Sequence, residues 1–124
     1  MEIPTKYRSV IATRRGSPEV LKIIENELRV PSPGEARIRI LASSVSLPDV
    51  QARYGQSPFA PKIPLVPGYA IIGVVDALGK GVTNAAVGDR VAALTRLGGY
   101  AEYIYLAQQQ LPSPQLWIQR KLSH

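Results

Sequence analysis

Cysteine is absent from this 124-residue sequence, and the one histidine is the last residue, His124. Disulfide bonds and thiolate metal sites are therefore excluded. A Ser-His-Asp triad would have to use that terminal histidine, which a chain end seldom holds in place. The nine carboxylates are dispersed along the chain, whereas zinc needs three or four closely spaced ligands. The sequence therefore predicts no metal site.

Long apolar runs are absent as well. No segment approaches the roughly 18 apolar residues that a membrane-spanning helix requires. The start of the chain, MEIPTKYRSV, lacks the apolar core of a signal peptide. Both absences predict a cytoplasmic protein with no membrane partner.

The sequence has no block of like charge, although its net charge is +6. Its 15 lysines and arginines are scattered, and no aromatic residues alternate with them in a recognised nucleic-acid-binding motif. Scattered basic residues are typical of a solvated surface. We therefore expect no nucleic-acid partner, and DNA binding is the weaker alternative.

Turn-forming residues, by contrast, are abundant: 11 prolines and 10 glycines are spread over a chain that is 45% apolar. Together with many Val, Ile and Thr residues, they favour a mainly β fold. The clearest strand is Ala36–Ala42, where apolar residues alternate with Arg37 and Arg39. This alternation predicts one buried face and one solvated face.

A hairpin and one short helix are predicted around this strand. Tyr7–Thr13 and Val20–Asn26 are separated by a turn that contains glycine and proline, as in a hairpin. Ser46–Gly55 predicts a helix because Pro48 suits a first helical turn, Asp49 suits the positive N-terminal end, and glycine suits the stop.

The second half of the sequence predicts loops and further strands. Residues 56–68 contain four prolines, so they predict an extended loop. Residues 79–89 are predicted to form another loop, and residues 115–124 could form a helical turn or two. Strands are expected at Tyr69–Leu78, Arg90–Leu94 and Gly98–Ala107.

Two glycine patterns invite a nucleotide-binding interpretation. Gly68 and Gly73 have the spacing of a phosphate-binding loop, but the Lys-Ser/Thr pair that this motif requires does not follow. Gly79 and Gly81 begin a dinucleotide fingerprint, but Asn84 stands where the third glycine belongs and no long helical segment follows. Both patterns therefore predict turns, with Gly73 permitting a bend or a close backbone approach.

Three side chains have a functional and a structural interpretation. Asp49 could act as a general base, but its position at the start of a helix explains it adequately. Tyr54 and Tyr69 could donate hydrogen bonds in a pocket, or simply pack half-buried. The residues alone do not decide between these alternatives.

The order of three segments resembles the medium-chain dehydrogenase/reductase superfamily, and within it the quinone oxidoreductase branch. The resemblance covers roughly Tyr7 to Pro114, and its strongest parts are VGDRV (Val87–Val91) and GGYAEY (Gly98–Tyr103). The three segments are PGEARIRILASSVSLPDVQARYG, PLVPGYAIIGVVDALGKGVTNAAVGDRVAAL and GGYAEYIYLAQQQLPSP.

The resemblance implies that residues 1–114 form a GroES-like domain, a partly open β-barrel with one or two short helices. In the family this domain is one wall of a cleft, and a Rossmann domain binds NADP(H) or NAD(H) on the other side. Hydride then passes between the nicotinamide and a carbonyl, quinone, enone or alcohol. The implied substrate is a small quinone or enone and the implied cofactor is NADPH.

The chain departs from the zinc-dependent members at the metal ligands. Ser46 stands where those members have a cysteine, and Tyr69 and Ala70 replace a His-Glu pair. The resemblance therefore implies the zinc-independent branch, with Ser46, Asp49, Tyr54 and Tyr69 as candidates for the substrate and nicotinamide pocket. That branch usually has asparagine in place of Ser46 and an acidic residue in place of Ala70. The serine offers one donor and acceptor with shorter reach.

After Pro114 only a ten-residue tail, 115–124, follows, where the family continues into its Rossmann domain. We therefore expect a truncated product that transfers no hydride alone, with no catalytic residue of its own. The alternative is a non-catalytic remnant that acts as a protein-binding module. Its exposed barrel face would then favour a homo-oligomer or a partner protein.

Overall fold

The computed structural model describes residues 5–55 and 62–111. One turn of 3₁₀ helix, Pro18–Val20, precedes the second strand, and another, Gln108–Gln110, follows the last. The mainly β fold predicted from the sequence is confirmed. The strands and the α-helix are β1 (Lys6–Ala12), β2 (Leu21–Glu27), β3 (Glu35–Ser43), α1 (Leu47–Tyr54), β4 (Ala70–Leu78), β5 (Arg90–Leu94) and β6 (Tyr103–Ala107).

The strands form two antiparallel sheets. One contains β1 and β2, and the other has the order β5-β4-β3-β6. The sheets meet where the Val10 N–H donates to the Tyr100 carbonyl (2.8 Å) and the Ala12 N–H donates to the Leu65 carbonyl (2.8 Å). Among the described strands, β2 and β5 each pair on one side only, so the two sheets do not close into a complete barrel. This arrangement agrees with the predicted partly open GroES-like barrel.

Strand β3 lies between β4 and β6, and its alternating apolar face contributes to the main core. Ala36 and Ile38 are fully buried, and they pack with Val75 and Leu106. Burial of these side chains supplies the main driving force for folding this sheet. The core therefore confirms the period of two that the sequence predicts for β3.

The solvated face of β3 differs from the prediction at one of its two arginines. Arg39 is exposed, as expected, but Arg37 is only partly exposed. Its guanidinium Nη2 lies 2.6 Å from the Asp76 carboxylate on β4. A neighbouring strand therefore provides a partner that the local alternation does not reveal.

The predicted hairpin is confirmed with a shifted boundary, and the last strand is shorter than predicted. Strand β2 begins at Leu21 because Val20 closes a turn, in which the Val20 N–H donates a hydrogen bond to the Ser17 carbonyl (3.1 Å). Strand β6 begins at Tyr103 instead of Gly98. The reason is that the Gly98 N–H donates a hydrogen bond to the Val66 carbonyl (2.8 Å) and not to a neighbouring strand of the sheet.

Gly73 and the loop after β4 behave as predicted. A Cβ at Gly73 would lie 2.5 Å from the Ile38 Cγ2, so the glycine permits a close approach of β4 to β3. Residues 79–89 contain turns and no helix, and the Gly79 N–H donates to the Glu35 carbonyl (2.7 Å). The turn interpretation of this loop is confirmed.

Some predictions lie outside the described residues, namely residues 56–61 of the proline-rich loop and the tail 115–124. Across residues 5–55 and 62–111, no helix has the length and apolar character needed to cross a membrane.

Candidate functional site

Helix α1 begins at a capped N-terminus, and this places the Asp49 carboxylate in the protein interior. Ser46 is the N-cap, Pro48 lies in the first turn, and Gly55 ends the helix in the left-handed conformation. Asp49, the third helical residue, accepts hydrogen bonds at Oδ2 from the Ser46 backbone N–H (2.9 Å) and hydroxyl (3.0 Å). This is the acidic half of a capping box, and it confirms the predicted helix with its N-terminal aspartate.

Asp49 is more than a helix cap, because two distant segments also donate to its carboxylate. Oδ1 accepts the backbone N–H of Gly68 (3.0 Å), and Oδ2 accepts the Tyr100 hydroxyl (3.3 Å). The residue is only 3% exposed. A buried carboxylate requires such donors. Both of its oxygens are engaged, which favours the structural interpretation of Asp49 over a general base.

The turn before β4 is held by backbone hydrogen bonds on successive carbonyls. The Pro67 carbonyl accepts the Tyr100 N–H (2.9 Å), and the Tyr69 carbonyl accepts the Thr95 N–H (2.7 Å). The Thr95 hydroxyl donates to the Gly68 carbonyl (2.6 Å). The turn is therefore fixed in position relative to α1 and to the end of β5.

Gly68 is required in this turn for two independent reasons. Its φ is +124°, a conformation that residues with a Cβ rarely adopt. A Cβ there would also clash with the backbone of Gly99. The two glycines therefore allow the turn before β4 to pack directly against the GGYAEY segment.

The structure brings two of the four predicted site residues into contact, and a third, Tyr69, lies next to this contact along the chain. Ser46 and Asp49 are hydrogen-bonded to each other, and Tyr69 follows the Gly68 that binds Asp49. Tyr54 lies at the other end of α1, about 12 Å from Ser46 for eight residues of helix. It is 41% exposed, and its ring faces the guanidinium of Arg53 at 5.1 Å.

Sequence reasoning missed Tyr100 and Thr95. Burial raises the pKa of the Tyr100 hydroxyl, and the nearby Asp49 carboxylate raises it further. The Tyr100 hydroxyl therefore stays protonated and donates a hydrogen bond to the Asp49 carboxylate. The sequence did contain a signal for Tyr100, because this residue belongs to the GGYAEY segment that supports the family resemblance. The sequence analysis assigned no role to it.

An open apolar groove of about 500 Å³ lies on the sheet beside these residues. Ser44 and Ala70 both line it, and they are joined by a backbone hydrogen bond from the Ser44 N–H (3.2 Å). Ser46 lies two residues after Ser44, and Gly68 two before Ala70. The lining residues are Ala42, Ser43, Ser44, Ala70, Ile71, Ile72, Ala92, Ala93 and Leu94.

The residues in this region do not fit a zinc ion. Ser46, Tyr69 and Ala70 supply no thiolate, imidazole or carboxylate, and Asp49 is occupied by four donors. In the part of the chain that the structure describes, no three His, Cys, Asp or Glu side chains cluster as a metal site would require.

Comparison with known families gives a match over most of the chain. Residues 32–115 match the family described as alcohol dehydrogenase GroES-like domain. The matched region contains β3, α1, the Asp49 cluster and the groove.

Individual proteins extend this similarity. The human synaptic vesicle membrane protein VAT-1 homolog-like is 34% identical over 99 residues, or 80% of this chain and 24% of that protein. Its crystal structure has a TM-score of 0.79, with 30% identity over 87% of this chain and 35% of that chain. Pig quinone oxidoreductase is 36% identical over 95 residues, or 74% of this chain and 29% of that protein.

A solved structure of Escherichia coli quinone oxidoreductase complexed with NADPH has a TM-score of 0.77 and 26% identity. It covers 86% of this chain and 32% of that chain. The chain thus spans about a quarter to a third of the length of these relatives.

Proposed function

The chain belongs to the alcohol dehydrogenase GroES-like domain family of the medium-chain dehydrogenase/reductases, and from this premise we propose that it is the substrate-side domain of a quinone or enone oxidoreductase. The observation that carries the proposal is the Asp49 cluster beside the apolar groove. It holds Ser46 two residues along the chain from Ser44, which lines a groove that suits a small apolar substrate.

The proposed hydride donor is NADPH, bound mainly by a nucleotide-binding domain outside these residues. The NADPH complex of the related E. coli quinone oxidoreductase supports this choice. The cofactor supplies the hydride, while residues 1–114 orient the substrate and exclude water from the groove. We assign no catalytic residue to this chain. Ser46, Asp49 and Tyr69 are proposed as pocket residues, and Tyr54 is retained as a more distant candidate.

We also propose that this function does not use zinc. The proposal is supported by Ser46, Tyr69 and Ala70, which offer no metal ligand, and by the four donors that occupy Asp49. The 124-residue chain alone is expected to oxidise no NADPH, because its glycine-rich segments form turns instead of a nucleotide-binding loop.

A chimaera tests the proposal. Residues 5–111 would replace the matching domain of E. coli quinone oxidoreductase, and NADPH oxidation would be followed with 1,4-benzoquinone in the presence of a chelator. We expect quinone-dependent oxidation by the chimaera and none by the 124-residue chain. Ser46→Ala should lower the rate, while Ser17→Ala, outside the site, should not. A folded chimaera that binds NADPH without oxidising it would contradict the proposal.

The exposed apolar face around the groove favours a second candidate, a non-catalytic module that pairs with a second copy of itself. Ile72 is 51% exposed and Leu94 69% exposed on this face, and such surfaces favour association. Light scattering of Ile72→Asp should then give a monomer, whereas Ile23→Asp, on β2, should remain a dimer. A wild-type chain that is monomeric at every concentration would exclude this candidate.

A further inference from the structure

Strand β3 is longer than its pairing with β6. The last pair of the two strands is Arg39 with Tyr103, and one further bond runs from the Ile40 N–H to the Glu102 carbonyl (2.9 Å). Strand β3 nevertheless continues to Ser43. On the side of β3 that faces β6, the residues after Ile40 therefore have no partner strand among the described residues.

The register with β4 shows which way the main chain of Ser43 points. Ser43 lies opposite Ile71, and the next bond runs from the Ser44 N–H to the Ala70 carbonyl (3.2 Å). In an antiparallel ladder, a pair flanked by such a bond directs its own N–H and C=O groups away from the neighbouring strand. The N–H and carbonyl of Ser43 therefore point away from β4, towards the side that β6 leaves open.

Ala101 meets this open side from the other edge. It lies opposite Ser9 of β1, and the pair is flanked by the bond from the Val10 N–H to the Tyr100 carbonyl (2.8 Å). By the same rule, the N–H and carbonyl of Ala101 point away from β1. Within the described residues, no backbone hydrogen bond uses either group.

An open cleft of about 410 Å³ lies between these two edges. Ser43 and Ala101 both line it, together with the side chain of Leu41, which is 45% exposed. An unpaired strand edge is a template on which another extended chain can add. The cleft therefore offers an extended chain main-chain groups on two sides and an apolar contact.

The charge that the cleft presents is positive. Glu102 lines it, but its carboxylate accepts hydrogen bonds from the Arg8 backbone N–H (2.7 Å) and Nε (3.3 Å). The hydrogen bond from the Arg8 side chain lowers the pKa of this carboxyl, so its charge is already balanced. Arg39 also lines the cleft and is exposed, and none of the ion pairs in the described part of the chain includes it.

Charge also bears on which chain can fill the cleft. Residues 112–124 contain Arg120 and Lys121 and no acidic residue, and residues 56–61 contain no acidic residue either. Neither segment could supply a carboxylate to Arg39. An acidic segment from a different polypeptide is the better match.

We propose that this cleft binds an extended acidic segment of a partner protein, which adds as a strand beside the end of β3 and places a carboxylate against Arg39. The main chain of the segment pairs with Ser43 and Ala101, which selects an extended conformation. Arg39 selects an acidic side chain, and Leu41 an apolar neighbour. This interaction needs neither cofactor nor substrate and does not depend on the proposed oxidoreductase function.

Titration of the ¹⁵N-labelled 124-residue chain with two short peptides tests the charge preference. N-acetyl-Thr-Val-Glu-Val-Thr amide and its counterpart with a central lysine differ in one side chain. We expect the glutamate peptide to bind about threefold to tenfold more tightly, because the lysine peptide exchanges attraction for repulsion. Amide signals of Ser43 and Ala101 should shift. Arg39→Ala should bring the two dissociation constants together, while Arg14→Ala, an exposed arginine outside the cleft, should keep the ratio.

A second comparison tests the strand pairing. Ser43→Pro removes an N–H that points into the cleft but no hydrogen bond of the β3–β4 ladder, so it should weaken the glutamate peptide at least about threefold. If this variant does not fold, the glutamate peptide methylated on its backbone nitrogens replaces it and should show no saturable binding to the wild type.

Three results would overturn the proposal. The first is equal affinity for the two peptides, and the second is no binding of either at millimolar concentration. The third is a set of shifted signals that excludes Ser43 and Ala101. Shifts of these two signals on concentrating the wild type, with no response to peptide, would assign the cleft to a second copy of the chain and would likewise overturn it.

Discussion

The Oδ1 atom of Asp49 and the backbone nitrogen of Gly68 lie 3.0 Å apart in a buried hydrogen bond that spans 19 residues of sequence. This bond fastens the N-terminus of α1 to the turn that leads into β4. Because Tyr100 donates to the same carboxylate, one side chain joins three segments of the chain.

Removal of the Asp49 carboxylate should be strongly destabilising. Asp49→Ala leaves the Gly68 and Ser46 N–H groups and the Tyr100 hydroxyl without their acceptor, and we expect a loss of about 3 kcal/mol in the free energy of unfolding. Urea denaturation measures it. The control is Glu25→Ala, which removes an exposed pair with Lys6 at 3.9 Å and should cost less than about 0.5 kcal/mol. Equal losses in the two variants would refute a structural role for Asp49.

Gly68→Ala should unfold the protein or cost more than about 3 kcal/mol, because strain at positive φ adds to a backbone clash with Gly99. Gly81→Ala is the matched control. Its φ is also positive, at +85°, but no atom lies within 4 Å of an added Cβ. It should cost about 1 kcal/mol, so thermal unfolding of both variants separates the clash from the conformational strain.

Tyr100→Phe should cost about 1 kcal/mol, since it deletes one hydrogen bond to Asp49. The raised pKa of Tyr100 means that the folded state favours its protonated form. Its contribution is therefore fully present below pH 10.0, the ordinary tyrosine value, and is lost as the pH rises through the folded pKa.

Unfolding followed at increasing pH should therefore show a smaller alkaline loss of stability in Tyr100→Phe than in the wild type. Tyr54→Phe alters an exposed ring and should change stability by less than about 0.5 kcal/mol. An identical alkaline profile in wild type and Tyr100→Phe would argue against the bond to Asp49.

Acid sensitivity should depend on Glu35. The hydrogen bond from Arg29 Nη1 (2.6 Å) holds the pKa of this carboxyl below its ordinary value of 4.5. The unfolded chain therefore binds a proton more readily, and the stabilising contribution, present above pH 4.5, is lost as the pH falls through the folded pKa.

Glu35→Gln should reduce the fall in urea midpoint between neutral and acidic pH. Glu19→Gln, an exposed carboxyl on the turn before β2, is the control. Glu102, whose pKa is lowered by its hydrogen bond from Arg8, should account for part of the fall that remains. An unchanged acid response in Glu35→Gln would contradict this assignment.

Local sequence rules were sufficient wherever the responsible atoms are close along the chain. Alternation identified β3, and Pro48, Asp49 and Gly55 identified α1 with its ends, because helix ends and strand faces depend on neighbours within a few residues. Boundaries were less accurate at β2 and β6, where turns and contacts with a different segment end the strand. The ion pair between Arg37 and Asp76 was missed for the same reason.

By itself the sequence determined the mainly β fold, the capped helix, the absence of cysteine and zinc ligands, and the family through the order of its motifs. Only the tertiary structure decided that Asp49 is buried and that Gly68 and Tyr100 are its donors. The bonds that fix these facts span 19 and 51 residues. Contacts at such separations depend on how the strands and α1 pack, which no local pattern specifies.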